Sequence, residues 1–173
     1  MERFGLIHDK LDLKILILYV LSRLPDFIDR EELSELVLLD EGVGYFDFTQ
    51  CLAELQDTEH VERKGSDFRV TEKGRKNCAA VESSLPYTMR VKVDKAIVPV
   101  VRTMNRNSMI RTSHERLPEG GCMVEMSMGD GVGDVISLRL LAAGEEQAEK
   151  MEAKFRAEAE TFYSRVMEIL SEE

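Results

Sequence analysis

His60-Val61-Glu62-Arg63-Lys64-Gly65-Ser66-Asp67-Phe68-Arg69-Val70-Thr71 is the stretch on which the fold turns. His60 to Lys64 and Phe68 to Thr71 are short strand-like runs, and Gly65-Ser66-Asp67 between them is turn chemistry, so the segment predicts a β-hairpin. Thr71 then stands where a helix cap is needed. Its hydroxyl can accept from a free backbone amide of a helix that begins at Glu72-Lys73-Gly74-Arg75 and runs to about Glu82.

Working back from the hairpin, Asp47 with Gln50 has capping-box spacing, and Phe48, Cys51, Leu52 and Leu55 recur at three and four residues. A helix to about Thr58 is expected. Asp29 followed by Glu32 repeats the cap pattern before Leu33, Leu36 and Val37, and Asp40-Glu41-Gly42-Val43-Gly44 breaks that second helix. From Asp9, the apolar series Leu11, Leu13, Ile15, Leu16 and Leu18 reads as a nearly buried first helix that Leu24-Pro25 ends. Two short capped helices joined by a Gly turn and followed by a hairpin predict a winged helix-turn-helix over residues 1–82.

Downstream, Ser83-Ser84-Leu85-Pro86 opens an amphipathic linking helix over 83–107, with Pro99 expected to kink it. Met109–Glu115, Cys122–Met128 and Val135–Ala142 are strand candidates separated by Gly-rich turns, which predicts an antiparallel meander. Ala148, Met151, Phe155, Phe162, Val166 and Ile169 mark one face of a long C-terminal helix able to cover that sheet. The expected fold class is therefore α+β, with a small three-strand-plus-helix domain over 108–173.

At 173 residues with 43% hydrophobic content, the chain can build a real core. The longest purely apolar run, Ile15 to Leu21, is far short of the roughly 20 residues that span a bilayer, and no secretory segment opens the sequence, so a cytoplasmic protein without a membrane partner is expected. Cys51, Cys78 and Cys122 are widely spaced and read as reduced thiols. His8, His60 and His114 stand apart from any Cys or carboxylate at ligand spacing, so no metal and no cofactor are expected. Nor is an enzyme: no nucleophile elbow or Walker motif occurs, and Gly129-Asp130-Gly131-Val132-Gly133 joins two strands where a dinucleotide fingerprint would open a helix.

Phe68-Arg69-Val70-Thr71-Glu72-Lys73-Gly74-Arg75 resembles the end of the wing in many bacterial winged-helix regulators. Together with Phe4-Gly5-Leu6-Ile7-His8-Asp9-Lys10-Leu11-Asp12, Tyr45-Phe46-Asp47-Phe48-Thr49 and Ser83-Ser84-Leu85-Pro86-Tyr87, it makes nearly the whole chain similar to an uncharacterised bacterial family catalogued as domain of unknown function 4364. The resemblance implies a winged helix followed by a smaller α+β part. The wider winged-helix relationship implies DNA binding and transcription regulation as a homodimer, by analogy of fold.

Charge decides where such a protein would meet DNA. The net charge is -10, yet residues 79–116 hold 7 basic side chains against 3 acidic ones, so the middle of the chain is its cationic part. In the usual docking mode the third helix enters the major groove. Here that helix has no Lys or Arg; its outward candidates are Thr49, Gln50, Ala53, Glu54 and Asp57, of which Thr49 and Gln50 can read bases. Phosphate contacts are expected instead from the wing and its exit, Arg63, Lys64, Arg69 and Lys73, and from a stripe along the linking helix, Lys92, Lys95, Arg102 and Arg106. A solvated stripe, or one paired with the acidic C-terminal helix, is the competing reading. Met104, Met109, Met123, Met126 and Met128 read as core filler under the last helix, or as the lining of a ligand pocket or a subunit contact. Spare apolar surface on the first helix, on Phe4, Leu6 and Ile7 and on the last helix points to a homodimer. The alternative function is a protein-interaction or sensory adaptor on a winged-helix scaffold, presenting its acidic third helix, Met-rich strands or Ile15–Leu21 to a protein partner.

Overall fold

Asp9 caps the first helix, its carboxylate accepting the Asp12 amide at 2.8 Å, and α1 (Lys10–Arg23) follows. The computed structural model describes residues 6, 7, 9–39 and 42–171. Leu13 and every residue from Ile15 to Leu21 are buried, because α2, α3, α4 and β3 pack around α1 from several sides. Ile15–Leu21 is thus packed within its own unit, while Leu11 at the start of α1 remains 65% exposed. Ile7 is buried as well; Phe4 and His8, and Asp40 and Glu41 of the expected helix break, lie outside the described residues.

A two-residue strand, β1 (Ile28–Asp29), leads into α2 (Arg30–Val37). Asp29 caps α2 as its spacing predicts, accepting from the amides of Glu31 and Glu32. The third helix, α3 (Tyr45–Asp57), starts earlier than expected. Gly44 is its N-cap and makes no side-chain capping bond, while Asp47 lies in the first turn, where its charge meets the positive end of the helix dipole. The hairpin is β2 (Val61–Lys64) and β3 (Asp67–Val70), with Lys64 opposite Asp67. That register leaves a two-residue loop, and Gly65 at φ +63° supplies the positive dihedral a type II′ turn needs at its first position. β1 joins the other edge of β3, giving a three-stranded antiparallel sheet in the order β1-β3-β2.

Thr71 caps α4 (Glu72–Val81) by accepting the Gly74 amide at 3.1 Å. A single 3-10 turn, Glu82–Ser84, and the buried Leu85 then lead to α5 (Tyr87–Met109). Pro86 stands just before α5, and its carbonyl accepts from Met89 and Arg90. Pro99 sits inside α5 without ending it.

The chain divides into two compact units, residues 1–102 and 103–173. The linking helix is thus not free-standing. Met89, Val93 and Ile97 are buried in the first unit, and Tyr19 donates its hydroxyl to Asp94 at 2.9 Å, with the Arg23 guanidinium 3.8 Å above the Tyr19 ring. Arg23 also pairs with Glu82 at 3.0 Å.

The second unit is mixed α+β as well. β4 (Ile110–Arg116), β5 (Cys122–Gly129) and β6 (Asp134–Ala142) form the expected meander in the order β4-β5-β6. α6 (Glu145–Ser171) covers one face of it. Alternation places Cys122, Val124, Met126 and Met128 of β5 beneath Ala148, Phe155 and Ala159, so Met126 and Met128 are core residues. α6 was expected to be one regular helix, but Glu158 leaves the helical region (φ -131°, ψ 25°), and beyond it the packing face changes: Ala159 is buried and Tyr163 partly so, whereas Phe162 and Ile169 are exposed. Among the described residues no helix is long and apolar enough to cross a membrane.

Candidate nucleic-acid interface

α3 buries Phe48, Cys51, Leu52 and Leu55 and turns Phe46, Thr49, Gln50, Ala53 and Asp57 toward the opposite side. Thr49 and Gln50 are half-buried, and the Thr49 hydroxyl donates to the Phe46 carbonyl at 2.9 Å. The most exposed side chain of the first turn is Phe46, at 78%, beside Tyr45 at 52%. Tyr45 leans on Phe48, ring centroids 6.0 Å apart. Tyr45 and Phe46 are absent from the sequence-derived site. Taking Asp47 as the cap placed them outside the helix, whereas the series 46, 49, 50, 53 would have marked the outer face.

Glu54 and Asp57 are the acidic residues of α3 expected to approach phosphate with like charge, and Glu54 has a partner. Lys14, from the middle of α1, meets its carboxylate at 2.6 Å and holds its pKa below the ordinary glutamate range. Neutralised this way, the outer face of α3 carries aromatic and uncharged polar side chains until Asp57. Lys14 was also missed, because its pairing follows from the packing of α1 on α3 and from no local pattern.

Of the hairpin cations, Arg63 and Lys64 are exposed at the end of β2. Arg63 donates to the Gly65 carbonyl at 2.5 Å, an exposed contact within the turn, and Lys64 makes no ion pair with any described residue. The others are engaged. Arg69 pairs with Glu62 across the hairpin at 2.8 Å and lies 4.4 Å from the Phe27 ring centroid. Lys73 donates to the Thr58 carbonyl at the end of α3, and Arg75 to the Ser22 carbonyl in the last turn of α1, at 2.8 and 2.9 Å.

The α5 stripe divides in the same way. Lys92 donates to the carbonyl of Leu39, just beyond α2. Arg106 belongs to the second unit. Its guanidinium meets both Glu160 oxygens at 2.6 and 2.7 Å and donates to the carbonyls of Arg156 and Ala157, at the turn where α6 departs from helical geometry. Pairing raises the Arg106 pKa and lowers that of Glu160. The pairing with the acidic C-terminal helix therefore describes Arg106, while Lys95 and Arg102 are exposed and make no ion pair with any described residue.

The remaining polar groups support structure. His60 has its pKa lowered by burial and by Lys73, and its ring lies between Thr58 Oγ1 at 2.8 Å and Asn77 Nδ2 at 2.7 Å. Burial pushes the Cys51 and Cys78 thiols up, away from thiolate chemistry. His114 meets the Glu152 carboxylate at 2.7 Å within the second unit. Among the described residues no three His, Cys, Asp or Glu side chains gather in a way that would hold a metal ion.

Comparison with curated proteins and with solved structures finds no match. Residues 13–170 match the family described as Domain of unknown function (DUF4364), a span that takes in both units, and the chain belongs to that family.

Proposed function

We propose that this is a cytoplasmic winged-helix DNA-binding protein, a transcription regulator acting as a homodimer, in which α3 reads bases and the hairpin tip holds phosphate. The observation that carries the reading is the outer face of α3: Lys14 pairs with the carboxylate of Glu54, so Tyr45, Phe46, Thr49, Gln50 and Ala53 form an uncharged surface, with Asp57 as the outward carboxylate at its far end. Helix, short strand, helix, helix and hairpin follow in the order that a winged helix requires. Arg63 and Lys64 at the hairpin tip supply cations not consumed by carboxylates.

The test is fluorescence anisotropy with fragments of the native genome across a salt series. Affinity should fall as salt rises, and Arg63→Ala with Lys64→Ala should flatten the slope of log K against log salt by about 2 for each copy bound, about 4 for the homodimer, one for each lost phosphate contact. Absent binding, or binding indifferent to salt, rejects the proposal.

A second reading, a protein-interaction or sensory adaptor, is favoured by one observation, the exposed Tyr45–Phe46 pair. Exposed aromatics in a first helical turn are the kind of side chain on which protein interfaces concentrate their energy. A protein partner retained without nucleic acid and lost on Phe46→Ala would favour it.

A further inference from the structure

The strongest unexplained surface is the outer side of α6. The helix is 27 residues, about 40 Å at 1.5 Å per residue, against roughly 30 Å for the nine residues of β6. Its last residue buried against the sheet is Ala159; after it, Phe162, Met167, Ile169 and Leu170 are 41 to 74% exposed. Beside the overhang, a groove of about 610 Å³ runs between α6 and β6, with Leu140, Met151 and Phe155 in its floor and Lys154, Glu158 and Arg165 along its rim. Met151 and Glu158 on one side of the groove's length and Phe162 and Arg165 on the other line it together across the break at Glu158, so groove and overhang adjoin.

We infer that a second copy of this chain covers this surface, the two α6 helices packing antiparallel about a two-fold axis near Thr161 and Phe162. The charges select that arrangement. An axis there sets Glu158 opposite Arg165 of the second copy and Lys154 opposite Glu168, and the two-fold repeats both pairs, so each charge meets its opposite. A parallel arrangement would set each of these charges against its own like. Arg165 and Glu168 have no ion-pair partner among the described residues, and Lys154 meets Glu158 only within the helix, at 2.6 Å, with both side chains more than half exposed. The same register brings the two Phe162 rings together at the axis and carries Ile169 of each copy over Met151 and Leu140 of the other. An isologous contact of this kind closes at two copies. The inference rests on the homodimeric part of the proposed function and is independent of its DNA-binding part.

The experiment is sedimentation velocity on the full chain at micromolar concentration without DNA, using wild type, Glu158→Arg, Arg165→Glu and an equal mixture of the two variants, with circular dichroism to confirm that each is folded. The expected result is a wild-type dimer and single variants with at least tenfold weaker association, because like charges face each other across the axis. Mixing should recover the dimer, since a Glu158→Arg copy and an Arg165→Glu copy again set opposite charges against each other at both contacts. A role within one chain cannot produce recovery by mixing. Wild-type dimers with undiminished association in both single variants overturn this contact and leave dimerisation itself standing, on another surface. Single variants that dissociate without recovering on mixing overturn the antiparallel charge pairing. A monomeric wild type, including one whose groove has copurified with an apolar anion, overturns both the contact and the homodimer, while the DNA titration still decides the rest of the proposed function.

Discussion

Gly74→Ala should unfold the first unit at markedly lower temperature, although an exposed Gly-to-Ala change within a helix ordinarily gains about 1 kcal/mol. A Cβ at position 74 would lie 2.1 Å from the His60 carbonyl oxygen and 2.9 Å from Val70 Cγ2. The first contact is with backbone, so no side chain can rotate away to relieve it. Relief needs α4 and the start of β2 to separate by about 1 Å, enough to bring that contact to an ordinary van der Waals distance. The same His60 carbonyl accepts the Thr71 amide at 3.0 Å, and the Thr71 hydroxyl donates to the Glu59 carbonyl at 2.7 Å. Overpacking of about 1–3 kcal/mol, with about 1 kcal/mol for each hydrogen bond stretched, outweighs the helix gain and leaves a net loss of about 2–4 kcal/mol. For a unit of this size that lowers Tm by about 10–20 °C. Differential scanning calorimetry reads the change, and Gly133→Ala, whose Cβ meets nothing within 4 Å, is the control expected to stay within about 0.5 kcal/mol of wild type. A Gly74→Ala protein as stable as wild type would refute the reasoning, because it would mean that α4 does not press on the hairpin entry as described.

Lys14→Ala should weaken DNA binding a few-fold although Lys14 lies on α1, by exposing the Glu54 charge; Lys14→Ala with Glu54→Ala should recover most of the loss, read by the same anisotropy titration. Arg69→Ala and Lys73→Ala should lower stability in urea denaturation by about 1 kcal/mol each while leaving the salt slope of DNA binding nearly unchanged, the reverse of Arg63→Ala and Lys64→Ala. The Arg106–Glu160 pair predicts an acid-side effect on the second unit. Glu160 has its pKa depressed by folding, so its stabilisation is present above the ordinary carboxylate range and disappears as pH falls through the depressed value; solvent screening keeps it below about 1 kcal/mol. Glu160→Gln should remove that part of the pH dependence, measured as Tm against pH from neutral into the acid range.

The elements legible in the sequence are those fixed by contacts a few residues long. Asp29 and Thr71 cap their helices as their spacing predicts, the hairpin turns at Gly65, and the three strands of the second unit fall within a residue or two of their hydrophobic alternation. Where the reading failed, the cause is a competing local contact at α3 and a distant partner at β1 and α6. Asp47-x-x-Gln50 has the spacing of a cap, but Gly44 is extended and Tyr45 packs on Phe48 as part of the helix, so the true start is one turn's contact earlier and the outward Phe46 went unseen. β1 is two residues long and exists because β3 pairs with it; no periodicity can show in two residues. The change in α6 at Glu158 has neither Pro nor Gly beneath it, and the groups that receive its freed geometry belong to Arg106, some fifty positions earlier.

The fate of the cations follows a physical rule that the charge count could not express. α2 and α3 have no basic residue in their own last turns, so the negative ends of their dipoles need partners from elsewhere. Lys92 reaches the carbonyl of Leu39 after α2, Lys73 that of Thr58 after α3, Arg75 that of Ser22 in α1, and Arg106 those of Arg156 and Ala157 in α6. Four side chains that look like phosphate ligands in a linear count thus meet helix carbonyls, which offer a partial negative charge with no desolvation of a second ion. Arg69 is taken by Glu62. Of the hairpin and α5 cations read as phosphate ligands, Arg63, Lys64, Lys95 and Arg102 remain exposed and unclaimed by carboxylates. DNA binding through these residues alone would give a shallow salt slope, about -0.9 for each phosphate neutralised. A slope corresponding to four contacts per chain or fewer agrees with this allocation. A steeper one would require helix-bound lysines and arginines to leave their carbonyls on binding, and would show that the caps are exchangeable.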